Sequence, residues 1–469
     1  MITQVNPRES RLLVLETGSY RTKAGAADHM AYTIVSTPSI VGLRPRKQQQ
    51  QQSQSPQKDT EIEAVDTAAA GTVEPSQSES EVMDVDTADN TGVTTPAEPA
   101  EPTVIGEESE FVYVAGSKVL EFDSTGEGVE GGDANESGLV HPIENGLPVD
   151  WPALLGLWQH ILLKSLPTRI NRSRNDWSLM MTVPVSWSKE DHKRVTQFIF
   201  EELNMLAFTI IEQPLAALYG HNMSTGLIID IGHETTDITP VIDNSIVRYA
   251  HKTIPLGGRD IDRQLLELLK ADTQFMQELG VVPLTEEVAR TVKESCCELS
   301  LLPYRVEPKD KIERAKVTIN GKEVTIGTAR FLAAEVLFDP SLASKSTLNI
   351  PEACYLAVTE ACEPEKRTSL WEAIVLTGGS CQIKGMRGRL DKELGKLISA
   401  SETSNEFQAK EIKWAGLPEY FPSYKEKQQD VGFLGASVVA RIVFTSSSFA
   451  YVTKTDYNEL GPSAICLKS

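Results

Sequence analysis

The sequence is poor in cysteine, with six in 469 residues, and none forms a C-x-x-C pair or sits at metal-ligand spacing from a histidine. That excludes a disulfide framework and a zinc ribbon, and points to a reducing compartment. No run of about 18 apolar residues occurs, and the first residues lack an apolar signal core, so neither a membrane span nor secretion is expected. A basic excess is also missing, with 45 Lys and Arg against 66 Asp and Glu. Surfaces that grip nucleic acid carry such an excess, so direct DNA binding is not expected.

The acidity is local. Residues 59–110 hold 15 acids and no Lys or Arg, and residues 121–136 hold 6 more and again no base. Outside these two stretches the charges balance at 45 of each sign. Residues 46–110 run from Gln48–Gln52 into Ser, Pro, Thr, Ala and acids, with no aromatic. Such a segment cannot bury enough apolar surface to offset its ordering entropy, so a disordered insertion is expected there. Arg44, Arg46 and Lys47, a short basic stretch, fit a nuclear address but by themselves read rather as a solvated loop flank.

What remains alternates strand and helix patterns, which sets the class as α/β. A strand hairpin is expected within 11–43, a strand resumes at 111–114, and helical spacing runs over 151–166. A strand over 179–185 precedes a helix over 189–203, and a proline-led helix lies within 210–219. Strands follow at 227–231 and 239–249, then an amphipathic helix over 260–269. Asn320-Gly321 between alternating runs signals a two-residue hairpin. Residues 373–376 read as the final strand, and 431–444 as an apolar helix.

Three units carry the chemistry: Leu13-Val-Leu-Glu16-Thr-Gly18-Ser19 running on to Lys23, Ile228-Ile-Asp230-Ile-Gly232, and Val375-Leu-Thr-Gly378-Gly379-Ser380. Each is a buried strand entering a glycine turn. Glycine lets backbone N–H groups converge on phosphate oxygens. Glu16 and Asp230 can hold waters around Mg²⁺, and Lys23 can meet a phosphate as a point charge. One such unit is weak; three in order point to a nucleotide cleft.

Those units, with Pro38-Ser-Ile-Val41-Gly42, His141-Pro-Ile-Glu144-Asn-Gly146, Leu256-Gly-Gly258-Arg259-Asp260 and Phe433-Leu-Gly435-Ala-Ser437, resemble actin and the actin-related proteins. The resemblance covers nearly everything outside 46–110. Ser186-Trp187-Ser188, Thr236-Asp237-Ile238 and Tyr420-Phe421-Pro422 are similar to the fungal branch typified by actin-related protein 9. It implies an actin-like α/β fold of two halves and four subdomains around a central cleft. Residues 1–45 and 111–150 would form first-half strands of subdomains 1 and 2. Residues 151–225 and 431–469 would complete subdomain 1, and 226–430 would form the second half.

The resemblance places Gly18, Ser19, Gln213, Gly232, Arg290, Lys293, Glu294, Gly378 and Gly379 beside Glu16, Lys23 and Asp230 in an ATP–Mg site. The departures bear on turnover. Glu16 stands for an Asp, Tyr20 for a glycine that lets backbone approach phosphate, Glu234 for another glycine, and Asp237 for a water-ordering His. Tyr20 is expected either to turn outward or to block the site, and Glu234 to repel phosphate. Weak or absent hydrolysis is therefore expected.

The branch also implies a function: a non-catalytic subunit of a SWI/SNF- or RSC-type chromatin remodeller in the nucleus. Its partner would be the helicase–SANT-associated helix of the motor subunit, with a second actin-related protein beside it. Tyr219, Val439, Ile442 and Phe444 are the expected groove positions. A filament-forming cytoskeletal actin is the alternative, opposed by the acidic insertion, whose copies would repel along a filament.

Overall fold

A computed structural model describes residues 11–28, 33–45, 111–115, 138–167, 170, 173, 175–303, 313–400, 411–446 and 450–468. The insertion expected over 46–110 and the acidic loop over 121–137 lie outside the described residues. By its internal contacts the chain forms two units, Met1–Arg44 with Tyr113–Ser469, and Pro45–Val112. The site lies wholly in the first.

Two sheets organise that unit. The first has six strands in the order Val452–Thr453, Ala207–Glu212, Ser178–Val183, Leu12–Thr17, Arg21–Ala26, Val35–Pro38. Its centre is parallel, with Leu13 opposite Leu179 and Phe208 opposite Leu179 on the other side. Both central strands are buried along almost their whole length, which is why they read as continuous apolar runs rather than alternating ones. Arg21–Ala26 folds back antiparallel and sets Lys23 opposite Glu16. The second sheet runs Ser245–Ile246, Thr236–Ile242, Gly226–Ile231, Ile374–Thr377, with Lys252–Ile254 also paired to Thr236–Ile242. In it Asp230 faces Asp237 on one side and Thr377 on the other.

Local chemistry fixes the element ends. Asp150 caps Trp151–His160 by accepting from the Ala153 N–H. Ser188 and Asp191 form a capping box on Lys189–Gln197. Each of these two helices continues into a π-turn, Ile161–Ser165 and Phe198–Glu202, so the helical spacing runs on past the α-helix end. The hairpin Ala315–Ile319 and Lys322–Ile326 turns at Asn320 and Gly321, both at positive φ, as the Asn-Gly signal predicts.

Two expectations change. The run over 239–249 is not one strand: it starts at Thr236, turns at Asp243-Asn244, both at positive φ, and ends in the 3₁₀ turn Arg248–Ala250. The strand Ile374–Thr377 is not the last, because Val452–Thr453 adds to the edge of the first sheet, too short to leave a periodic pattern.

The helices Gln213–Gly220 and Val431–Thr445 pack together through small residues. A Cβ on Gly435 would stand 1.7 Å from the Ala216 carbonyl oxygen, and one on Gly220 would stand 2.6 Å from the Val431 oxygen. The apolar character of Val431–Thr445 thus divides: Phe433, Leu434, Ala436 and Ala440 are core, while its last turn reaches the surface.

Candidate functional site

The three strand–glycine turns line one cavity of about 950 Å³. Every residue expected to bind nucleotide, from Glu16 on the first strand to Gly379 after Ile374–Thr377, stands in its walls. The cause is topological: the parallel strands of each sheet end on the same side, and their turns meet there.

Each glycine has its own reason. Gly18 donates its N–H to the Arg21 carbonyl at 3.0 Å and closes the first turn, and Gly232 does the same to Thr235 at 2.9 Å. Gly378 lies at φ +91, where a Cβ would fall 2.4 Å from both Asp230 Oδ1 and the Ile231 oxygen. Gly379 faces open space. Ser380 Oγ donates to the Gly232 carbonyl at 2.8 Å, tying the third turn to the second.

Charge is arranged less simply. Lys23 Nζ lies 2.7 Å from Glu16 and 3.1 Å from Asp430, and donates to the Gln429 carbonyl at 2.8 Å. Burial alone would lower its pKa, but the charges and hydrogen bonds of Glu16 and Asp430 outweigh it and raise it. Burial, with the nearby charges of Asp237 and Glu16, pushes the Asp230 carboxyl up to about 7 against the pull of Lys23. Asp237 accepts from the Thr235 and Thr253 hydroxyls. His251 comes within 3.6 Å of that carboxylate, brought there by the pairing of Lys252–Ile254 with Thr236–Ile242.

On the opposite wall Lys293 lies 2.7 Å from buried Asp262 and donates to the Gly258 carbonyl, while Arg290 is 3.5 Å from the same carboxylate. Glu294 lines the cavity beside them. Gln213 Nε2 donates to the Thr17 carbonyl at 3.4 Å, and the Thr17 hydroxyl accepts from the Trp158 indole at 2.9 Å, so Gln213 has a structural partner in the first turn.

Tyr20 does not turn outward. Its ring lies 4.8 Å from the His233 ring, with the Arg290 guanidinium 4.6 Å from the tyrosine centroid. Burial, then the charges of Lys293, Arg290 and Arg259, push His233 down to about 3, so the imidazole is neutral near pH 7. Glu234 departs from its expected effect. It is absent from the cavity walls, pairs with Arg259 at 2.6 Å and accepts from the Asn145 N–H at 2.7 Å, so its charge is spent away from any phosphate. Sequence reading missed Arg259, Asn145 and Asp430 in these roles; the Asn145-Gly146 pair, a turn at positive φ between Ile143–Glu144 and Leu147–Pro148, was the signal for the hairpin that presents Asn145.

A nucleotide with Mg²⁺ matches part of this. The cavity has the volume of a ligand site, Gly379 opens on it, and Glu16 Oε2 and Gln429 Oε1 are buried acceptors without hydrogen-bond partners on its wall. Among the described residues no group of three or more His, Cys, Asp and Glu is placed to ligate a metal, so Mg²⁺ would rest on carboxylate-held waters and phosphate oxygens. At the phosphate end, Lys23 is engaged by two carboxylates and the Tyr20 ring reaches the second turn.

The groove positions also group. Tyr219, Val439 and Phe444 are partly buried around one cluster with Val443, and the Phe444 ring lies 5.2 Å from Tyr451. Ile442 stands outside this cluster, 60% exposed.

Against known proteins, a family model described as Actin matches residues 8–469. A protein of Schizosaccharomyces pombe described as SWI/SNF and RSC complexes subunit arp9 is 28% identical, over 70% of this chain and 79% of that protein. Actin-related protein 7 of Arabidopsis thaliana is 27% identical over 70% of this chain and 85% of its own length. Actin-related protein 2 of Saccharomyces cerevisiae is 25% identical, over 70% and 81%.

Proposed function

This chain belongs to the actin family and has its α/β fold, and on that premise we propose that it is a non-catalytic structural subunit of a SWI/SNF- or RSC-type chromatin remodeller. The likeness to a SWI/SNF and RSC subunit carries the reading. Such a subunit works in the nucleus and braces a motor rather than touching DNA, which agrees with the charge balance outside the acidic stretches. The proposed division into halves follows the resemblance: 1–45, 111–225 and 431–469 in one, 226–430 in the other.

Its partner is the helicase–SANT-associated helix of the motor subunit, with a second actin-related protein on the same helix. An amphipathic helix laid on an apolar groove anchors at i, i+3 or i+4, and i+7. Tyr219, Val439 and Phe444 offer the apolar floor, and Ile442 the exposed rim.

In the cavity, Gly18, Ser19, Gly378 and Gly379 would face nucleotide phosphates, Lys23 and Asp230 their charge and cation, and Arg290, Lys293 and Glu294 the base end. ATP there would supply a polyanion drawing the loops together. Turnover is slow or absent, because Asp237 replaces the water-ordering His and Lys23 is committed to Glu16 and Asp430.

The test is co-purification of the chain with the motor's helical segment. Tyr219→Asp places an unpaired charge in a desolvated contact, a cost of several kcal/mol, roughly. Binding should be lost while circular dichroism of the isolated variant stays unchanged. Retained binding removes this groove as the site.

A further inference from the structure

The two loops that a polyphosphate would bridge are already joined by side chains. Tyr20 follows Leu12–Thr17 and His233 follows Gly226–Ile231, so their rings, with centroids 4.8 Å apart and planes tilted by 34°, meet between the turn of the first sheet and the turn of the second. Arg290, on Glu286–Cys296, lays its guanidinium 4.6 Å from the tyrosine centroid, and Arg21 lies 5.4 Å from it. A neutral imidazole, an aromatic face and a guanidinium attract one another in this order. Asp262, 1% exposed, sits 3.5 Å from Arg290 and steadies that wall.

Other groups repeat the pattern. Glu234 joins the second loop to the Asn145 N–H and to Arg259. Lys23, the cation a phosphate would meet, is saturated by Glu16, Asp430 and the Gln429 carbonyl. In a nucleotide-bound cleft the bridge between the two glycine turns and the partners of Lys23 would come from the phosphates. Here the chain supplies them.

We propose that Tyr20, His233 and Arg290 form a clasp that holds the two loops together in place of a nucleotide, and that the Tyr20 ring disfavours a triphosphate in the cavity. The protein then keeps its binding-ready form without ATP, an inference that rests on the reading of the chain as a non-catalytic subunit although its test needs no partner. Arg21 reinforces the clasp from the tyrosine's other neighbour.

The experiment compares the full chain with Tyr20→Phe and Tyr20→Ala, each stripped with apyrase and a chelator, then measured by thermal unfolding with and without millimolar Mg–ATP. The unsubstituted chain and Tyr20→Phe should respond to Mg–ATP by less than about 1 °C, since a ligand stabilises only what it binds. Tyr20→Ala should unfold about 3 °C or more lower and regain most of that with Mg–ATP. Equal stabilisation of all three by Mg–ATP, or an unchanged midpoint for Tyr20→Ala, overturns the clasp. A lower midpoint that Mg–ATP does not restore overturns the exclusion of the triphosphate. If Tyr20→Ala does not fold, His233→Ala breaks the same ring contact from the other loop and must show the same drop, with little recovery by Mg–ATP because the Tyr20 ring is kept; an unchanged midpoint is equally fatal. Loss of partner binding with an intact clasp would count only against the proposed function.

Discussion

Lys23 shows how a residue legible in sequence changes meaning in three dimensions. It stands where a phosphate-binding lysine is expected, yet two carboxylates hold it, one of them only 4% exposed. Lys23→Met should therefore cost stability before it costs any ligand: on the order of 3 kcal/mol in denaturant titration, because it removes the cation buried between Glu16 and Asp430. No loss would mean the carboxylates find water. His233 is the mirror case, a ring kept neutral by burial and by Lys293, Arg290 and Arg259. Its folded pKa of about 3 lies below the unfolded value near 6.5, so the unfolded chain takes up the proton first as pH falls. Stability is full above pH ~6.5 and drains away toward pH 3. Between pH 7 and 5, the unsubstituted chain should lose up to about 2 kcal/mol more than His233→Asn, read as the difference between two urea titrations. Parallel pH profiles would mean the ring protonates freely in the fold.

Among elements, the packing of Gln213–Gly220 on Val431–Thr445 depends on missing side chains. Gly435→Ala would push a methyl to within 1.7 Å of the Ala216 carbonyl, so the helices must separate. A loss of about 1–3 kcal/mol or more is expected by thermal or chemical unfolding, with Gly395→Ala, whose Cβ meets nothing within 4 Å, as the neutral comparison. The strands and this helix were legible because burial on both sides leaves uninterrupted apolar runs, and the Asn320-Gly321 turn because its backbone demands those residues. The break at Asp243-Asn244 was not, since neither residue is glycine and the flanking residues keep an apolar pattern. The edge strand Val452–Thr453 has only two residues and owes its form to Ala207–Glu212 beside it.

At the scale of the molecule, side chains tie the turns around the cavity to elements outside their own sheets. Glu234 is one such link, through Arg259 and the Asn145 N–H. Glu234→Ala should raise hydrogen exchange at the Asn145 amide by about tenfold or more while leaving the buried amides of Leu12–Thr17 protected. Unaltered exchange at Asn145 would show that the hairpin holds itself. The sequence by itself determined the α/β class, the three glycine turns and the residues around them, because each strand–turn unit is a local pattern governed by burial and by backbone freedom at glycine. Only the tertiary structure decided what those residues do to one another: that Glu234 is neutralised outside the cavity, that His251 meets Asp237, that Asp430 takes up Lys23 and that Tyr20 reaches His233. Pairings between residues 14 (His251 and Asp237) to 407 (Asp430 and Lys23) positions apart depend on how strands are ordered in sheets, and no local periodicity records that order.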